Sequence, residues 1–298
     1  MDEKWEGLLL IWDSRGDYMK YINSRGETLD LSATPYLLQS GDLFDYSWSY
    51  DLQNNQITNI RREAGERAFK ICIIPDETLM YHEKRQKLKE AIDNLYDVIE
   101  YDVVNNASGK LMTENGWYFP CIITANSKSD WEKALTNQFI DLTAVSALNS
   151  WILPVTFEFY AGGKTSAQDA FLDYKYDYDY DYTPNLVGVG KLVLNHVDKC
   201  NFQLIIFGPV TNPRITIAGH IYQVNTTIEE GEYLTVDSRD NTIVLTQKSG
   251  TKINQYDLRY KNSTVFEPIL PGNSEVNWNG SFGFTLTIYE QRSEPRWS

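Results

Sequence analysis

The chain has 298 residues, enough for one large domain or two ordinary ones. Its 27 Lys and Arg are outweighed by 41 Asp and Glu, giving a formal net charge of -14. Such a surface repels phosphate backbones and anionic lipid, which argues against general nucleic-acid binding and membrane adsorption.

The first half reads as strands around one helix. Residues 8–12 and 18–22 are short apolar runs on either side of Asp13-Ser14-Arg15-Gly16-Asp17, a pattern that predicts a hairpin. Residues 46–52, 56–60 and 67–74 are further strand candidates, with Asn54-Asn55 as turn residues between the first two. A helix is expected over residues 82–100, because Leu88, Ala91, Ile92, Leu95 and Ile99 recur at helical spacing. Lys84, Lys87, Glu90, Asp93 and Asp97 fall on its opposite face. The stretch from Lys84 to Lys89 is the one Lys/Arg cluster in the sequence, and it reads as a helix face. Strands are expected again at 117–124, 136–144 and 154–160. In the middle one both faces carry apolar residues, among them Phe139, Ile140 and Leu142, so it should be covered on both sides, by its own domain or by a partner.

A boundary is expected near residues 161–185, giving an N-terminal domain of residues 1–165 and a C-terminal domain of 166–298. Within it Tyr174, Tyr176, Tyr178, Tyr180 and Tyr182 alternate with Asp173, Lys175, Asp177, Asp179 and Asp181. An extended strand would put the rings on one face and the acids on the other. Three readings remain open: a boundary strand with its rings inward, a strand whose rings pack on a neighbouring subunit, or a calcium loop. For the third, Tyr182 stands where the loop needs Gly and Gly188 where it needs a closing Glu. Beyond Pro184, short strands at regular spacing (186–194, 202–207, 214–217, 221–225, 232–236, 242–246 and 282–289) predict an antiparallel sandwich. The fold class expected is mainly β with one long helix. The 20 Tyr, 12 Phe and 8 Trp suit it.

Catalytic and cofactor motifs fail on inspection. Gly163-Lys164-Thr165 resembles the end of a phosphate-binding loop, but Glu158 stands where its first glycine belongs. Gly188-x-Gly190 leads into a strand, which offers no helix N-terminus to a pyrophosphate. His82, His196 and His220 are too far apart in sequence for a metal signature, and no nucleophile elbow occurs. Cys72, Cys121 and Cys200 are odd in number and sit in apolar runs, so buried free thiols are expected and no disulfide framework is implied. The start, Met1-Asp2-Glu3-Lys4-Trp5, lacks the pattern of a signal peptide, and no apolar run is long enough to span a bilayer. The expectation is a protein without enzymatic activity, cofactor or metal. A carbohydrate-binding sandwich module is the alternative, and a glycosidase, whose acids no motif reveals, stands third.

One series of residues carries a resemblance. Leu194-Asn195 opens it, followed by Ile206-Phe207-Gly208-Pro209-Val210-Thr211-Asn212-Pro213-Arg214-Ile215 and Ile217-Ala218-Gly219-His220-Ile221-Tyr222. Gly231-Glu232-Tyr233-Leu234-Thr235-Val236-Asp237 and Asn241-Thr242-Ile243-Val244 come next, and Phe266-Glu267-Pro268-Ile269-Leu270-Pro271-Gly272-Asn273-Ser274-Glu275-Val276 closes it. In this order they resemble the C-terminal part of siphophage distal tail proteins, including homologues in prophages of Gram-positive bacteria. The resemblance covers residues 170–298 well and the first half in general layout. The family often has a glycine soon after the first Asn, where this chain has His196-Val197-Asp198. The resemblance implies an N-terminal domain that assembles into a hexameric ring and a galectin-like C-terminal sandwich. It implies as partners other copies of the chain, the tail tube protein, the tape-measure protein, the tail-tip protein and a receptor-binding protein. It also implies a place in the virion tail after synthesis in the bacterial cytoplasm. On that reading the tyrosines at 174–182, Phe139, Ile140 and Leu142 are the subunit-interface candidates.

Overall fold

The computed structural model describes residues 18–76, 78–128, 136–162 and 188–296. Contacts divide them into two units: residues 18–153 with 291–296, and residues 154–290.

The first unit is an antiparallel sheet with a helix on its inner face. Its strands run in the order Trp151–Phe159, Tyr118–Ser127, Gln138–Ser146, Gly65–Ile73, Tyr36–Gly41 and Ser32–Ala33. Met19–Ile22 pairs on one edge with Thr28–Asp30 and on the other with Gly109–Thr113, which continues to Tyr118–Ser127. The first strand of the hairpin expected over residues 8–22 lies outside the described residues.

The helix spans Tyr81–Asn105, five residues beyond the expected end. Its buried stripe, Leu88, Ala91, Ile92, Leu95, Val98 and Ile99, joins a core with Tyr21, Leu29, Leu31, Phe69, Ile71, Leu111, Phe119 and Trp151. Each Leu, Ile, Val or Phe side chain so removed from water stabilises the fold by about 1.5–3 kcal/mol. The Tyr36 hydroxyl donates to the Ala91 carbonyl at 2.8 Å and accepts from Asn94 Nδ2 at 2.9 Å, fastening the helix to the sheet. Asn106 ends the helix in the left-handed region, and the Ala107 amide closes on the Asp102 carbonyl at 3.0 Å.

The second unit is an antiparallel sandwich. One sheet contains Lys252–Asn254, Thr242–Thr246, Tyr233–Asp237, Asn201–Phe207 and Phe284–Arg292 in that order. The other contains Gly188–Leu194, Gly272–Trp278, Arg214–Ile217 and His220–Gln223. Alternate residues point inward, as period two requires. Phe202, Leu204, Ile206, Leu234, Val236, Leu286 and Ile288 of the first sheet share a core with Leu192, Leu194, Ile215, Ile217, Val276 and Trp278 of the second. Gly272–Trp278 is a strand that was not among those expected. Trp151–Phe159 begins in the first unit and ends in the second, so the contact division falls at residues 153/154. The expected boundary at 165/166 lies outside the described residues.

Candidate assembly surface

The strand Gln138–Ser146 answers the question its sequence leaves open. Ile140 and Leu142 are 0% and 1% exposed and belong to the core of the first unit. They are therefore not surface for a second copy, which corrects their place among the interface candidates. Phe139 points the other way and is 37% exposed. Asp141, on the same outer face, meets Lys70 of the paired strand at 3.3 Å. Tyr174, Tyr176, Tyr178, Tyr180 and Tyr182 lie outside the described residues.

A surface the sequence reading did not single out stands nearby in the chain. Ser49–Gln53 and Gln56–Arg61 form a two-stranded sheet of their own. Asn54 and Asn55 both have positive φ, 48° and 59°, as a two-residue hairpin turn of matching twist requires. Leu52 faces Ile57 across the pair, and a bulge sets Tyr50 against Asn59 and Ile60. Tyr50, Leu52, Ile57 and Ile60 thus share one face and are 55–66% exposed. The opposite face is polar: Arg61 pairs with Asp51 at 3.2 Å, and Asn59 Nδ2 donates to Asp51 at 2.7 Å. These partners, Asn59 first, hold the Asp51 carboxyl below its usual range. Trp48, just before the hairpin, has Arg62 stacked 4.5 Å from its ring centre. An isolated two-stranded hairpin is marginal in water. Four large apolar side chains together on one such face are suited to burial by a partner.

The groups that catalysis would use are arranged otherwise. Cys200 Sγ lies 3.3 Å from His196 Nδ1, but burial pushes the thiol up to about 12, the reverse of activation. Ser263 Oγ lies 3.2 Å from His220 Nε2 and 3.0 Å from the Ile221 carbonyl, and that imidazole nitrogen also meets the Thr264 carbonyl at 2.8 Å. Among the described residues no three His, Cys, Asp or Glu side chains gather as a metal site. No helix there is long and apolar enough to cross a membrane. On the sandwich, Phe207 and Tyr233 are cross-strand partners and stand 45% and 37% exposed, side by side on the outer face.

No protein-family model matches the sequence, and no curated protein matches it. Solved structures do match. The SPP1 Dit protein, described as a paradigm of the hub adsorption apparatus in phages infecting Gram-positive hosts, is 12% identical with a TM-score of 0.57. The match covers 92% of this chain and 98% of that one. A chain of the phage P2 baseplate in its activated conformation with Ca is also 12% identical, with a TM-score of 0.55, over 94% of this chain and 99% of that one. The same baseplate with Sr gives 0.56. Over more than nine-tenths of its length, the chain therefore has the fold of these phage hub and baseplate proteins.

Proposed function

We propose that this chain is a structural protein of a phage tail tip and that identical copies of it, six in number, form a ring joining the tail tube to the tip. The tail-tip protein and a receptor-binding protein attach below, and the end of the tape-measure protein lies near the ring. The chain is made in the bacterial host cytoplasm and works in the virion tail, without enzymatic activity. The observation that carries this reading is the hairpin Ser49–Arg61, which holds Tyr50, Leu52, Ile57 and Ile60 in solvent on a scaffold of hub fold. Burying such side chains between neighbours supplies the association energy, and a closed ring buries every copy's hairpin equally. Phe139 is a second contact candidate, and the tyrosines at 174–182 a third. The charge of -14 suits a channel through which DNA slides without sticking.

Replacing Leu52 and Ile57 together by Asp puts two charges into the proposed contact. The expected result in analytical ultracentrifugation is a folded monomer under conditions where the parent chain assembles. A variant that assembles as well as the parent would remove the hairpin from the interface. A second reading rests on the Phe207–Tyr233 pair, a platform on which a sugar ring could stack. It requires a solitary chain that binds saccharide.

A further inference from the structure

The helix Tyr81–Asn105 carries its charges in an order that its own physics disfavours. Lys84, Arg85, Lys87 and Lys89 outnumber Glu83 and Glu90 in its N-terminal half, and Asp93, Asp97, Glu100 and the buried Asp102 are the charges of its C-terminal half. The backbone dipole favours acids at the start and cations at the end; Glu83 in the first turn meets the first demand, but the last turn holds no basic residue. Arg85 and Lys89 are like charges four residues apart, as are Asp93 and Asp97, and such pairs weaken an isolated helix. Lys87 does find Glu90, at 2.7 Å. Lys89, Asp93, Asp97 and Glu100 are exposed, away from the buried stripe. Where a sequence breaks a local rule without a gain inside its own fold, a function outside it is the place to look.

We infer that this outer helix face docks a second copy of the chain, the basic half of one helix lying against the acidic half of its neighbour's. The inference rests on the ring reading above. Both halves of the complementary pair are written on one helix, so an identical copy supplies the opposite charge in each direction. The two halves are centred about ten residues apart, so a neighbour slid by about 15 Å brings opposite charges together. Head-to-tail contacts of this kind repeat around a closed axis. Copies that each carry -14 repel at a distance, and the Lys84–Lys89 cluster is where the sequence gathers cations against that repulsion. Exposed pairs contribute little affinity each; their effect is to set register and to reject wrong neighbours.

The test is a charge exchange on the full chain. One variant carries Arg85→Glu and Lys89→Glu, the other Asp93→Lys and Glu100→Lys. Asp97 is left in place because it lies in the electrostatic field of Arg25. Circular dichroism checks that both fold. At low ionic strength each variant should need roughly tenfold more protein than the parent for half-assembly, with added salt shrinking the gap. Mixing the two, or combining all four changes in one chain, should restore assembly. Two variants that assemble as the parent does would overturn the inference and leave the ring reading standing. Loss with the first variant and none with the second would overturn it too, since the basic half would then serve some other acidic partner. A parent chain that stays monomeric at low salt would sink the ring reading itself.

Discussion

Trp151→Ala is expected to destabilise the first unit by about 3–5 kcal/mol. Trp151 is fully buried, with Phe44 stacked at 5.4 Å and Phe119 at 5.5 Å between ring centres. Its indole N–H donates to the Leu43 carbonyl at 3.3 Å, an oxygen that also accepts from Arg67. Arg67 in turn lies 4.6 Å from the Phe119 ring centre. Removing the indole opens a cavity against the Phe44 and Phe119 rings. Arg67, only 3% exposed, keeps its bond to the Leu43 carbonyl but loses the indole that shares that acceptor. Hydrogen exchange read by mass spectrometry resolves the two units: protection should fall in Gly65–Ile73 and Gln138–Ser146 and persist in Asn201–Phe207. Equal loss in both units would show that the division into two cores is wrong.

Asp102→Ala should cost about 2–4 kcal/mol, through the orphaned Tyr21 hydroxyl and the lost hydrogen bonds of Ser24 and not through lost packing. Asp102 is 0% exposed, although it is a carboxylate on a helix. One oxygen accepts from the Tyr21 hydroxyl, the other from the Ser24 amide at 2.8 Å and the Ser24 hydroxyl at 2.5 Å. Asn23 Nδ2 adds a bond to the Val98 carbonyl at 3.2 Å. Burial first, and Asp102 second, push the Tyr21 phenol well above its ordinary value, so it stays a donor. Gly109 completes the site: a Cβ there would collide with Asp102 Oδ2 and the Tyr21 hydroxyl. Without the carboxylate the buried Tyr21 hydroxyl has no acceptor, while the amide and hydroxyl of Ser24, an exposed residue, turn to water. Asp102→Asn keeps an acceptor for Ser24, and the Tyr21 hydroxyl can turn to accept from the new amide, so its loss should be about 1 kcal/mol. Urea unfolding of the two variants decides the matter; equal losses would mean that packing, not hydrogen bonding, is what Asp102 provides.

These two sites also show where the sequence is readable. The helix announces itself through Leu88, Ala91, Ile92, Leu95 and Ile99. Its last turn does not, because Asp102 sits on the apolar stripe and its partners, Tyr21 and Ser24, lie about 80 residues earlier in the chain. Polar groups supplied from a distance leave no local pattern. Met19–Ile22 is legible as a strand, but its pairing with Thr28–Asp30 and Gly109–Thr113 is not, since period-two patterning names no partner. The sandwich is the more legible unit: Asn201–Phe207, Arg214–Ile217 and Thr242–Thr246 lie where alternation and turns place them.

For the assembly surface the balance is different. Alternation at Gln138–Ser146 could not say which apolar face was the core, and the structure assigns Ile140 and Leu142 to it. The hairpin strands were legible, together with the Asn54-Asn55 turn. That they stand apart with Tyr50, Leu52, Ile57 and Ile60 in solvent was not, because the same alternation describes a strand half-buried in its own domain. The signal available was the run Tyr46, Trp48, Tyr50, Leu52 at period two beside Ile57 and Ile60. The N-terminal unit thus carries both features proposed for assembly, the apolar hairpin face and the charged face of Tyr81–Asn105.

The most direct test is the mass and symmetry of the purified chain in solution, by mass photometry with electron-microscope class averages. The account predicts a closed ring of six copies with a central channel. A particle that remains a single 34.4 kDa chain at every concentration and salt would contradict it.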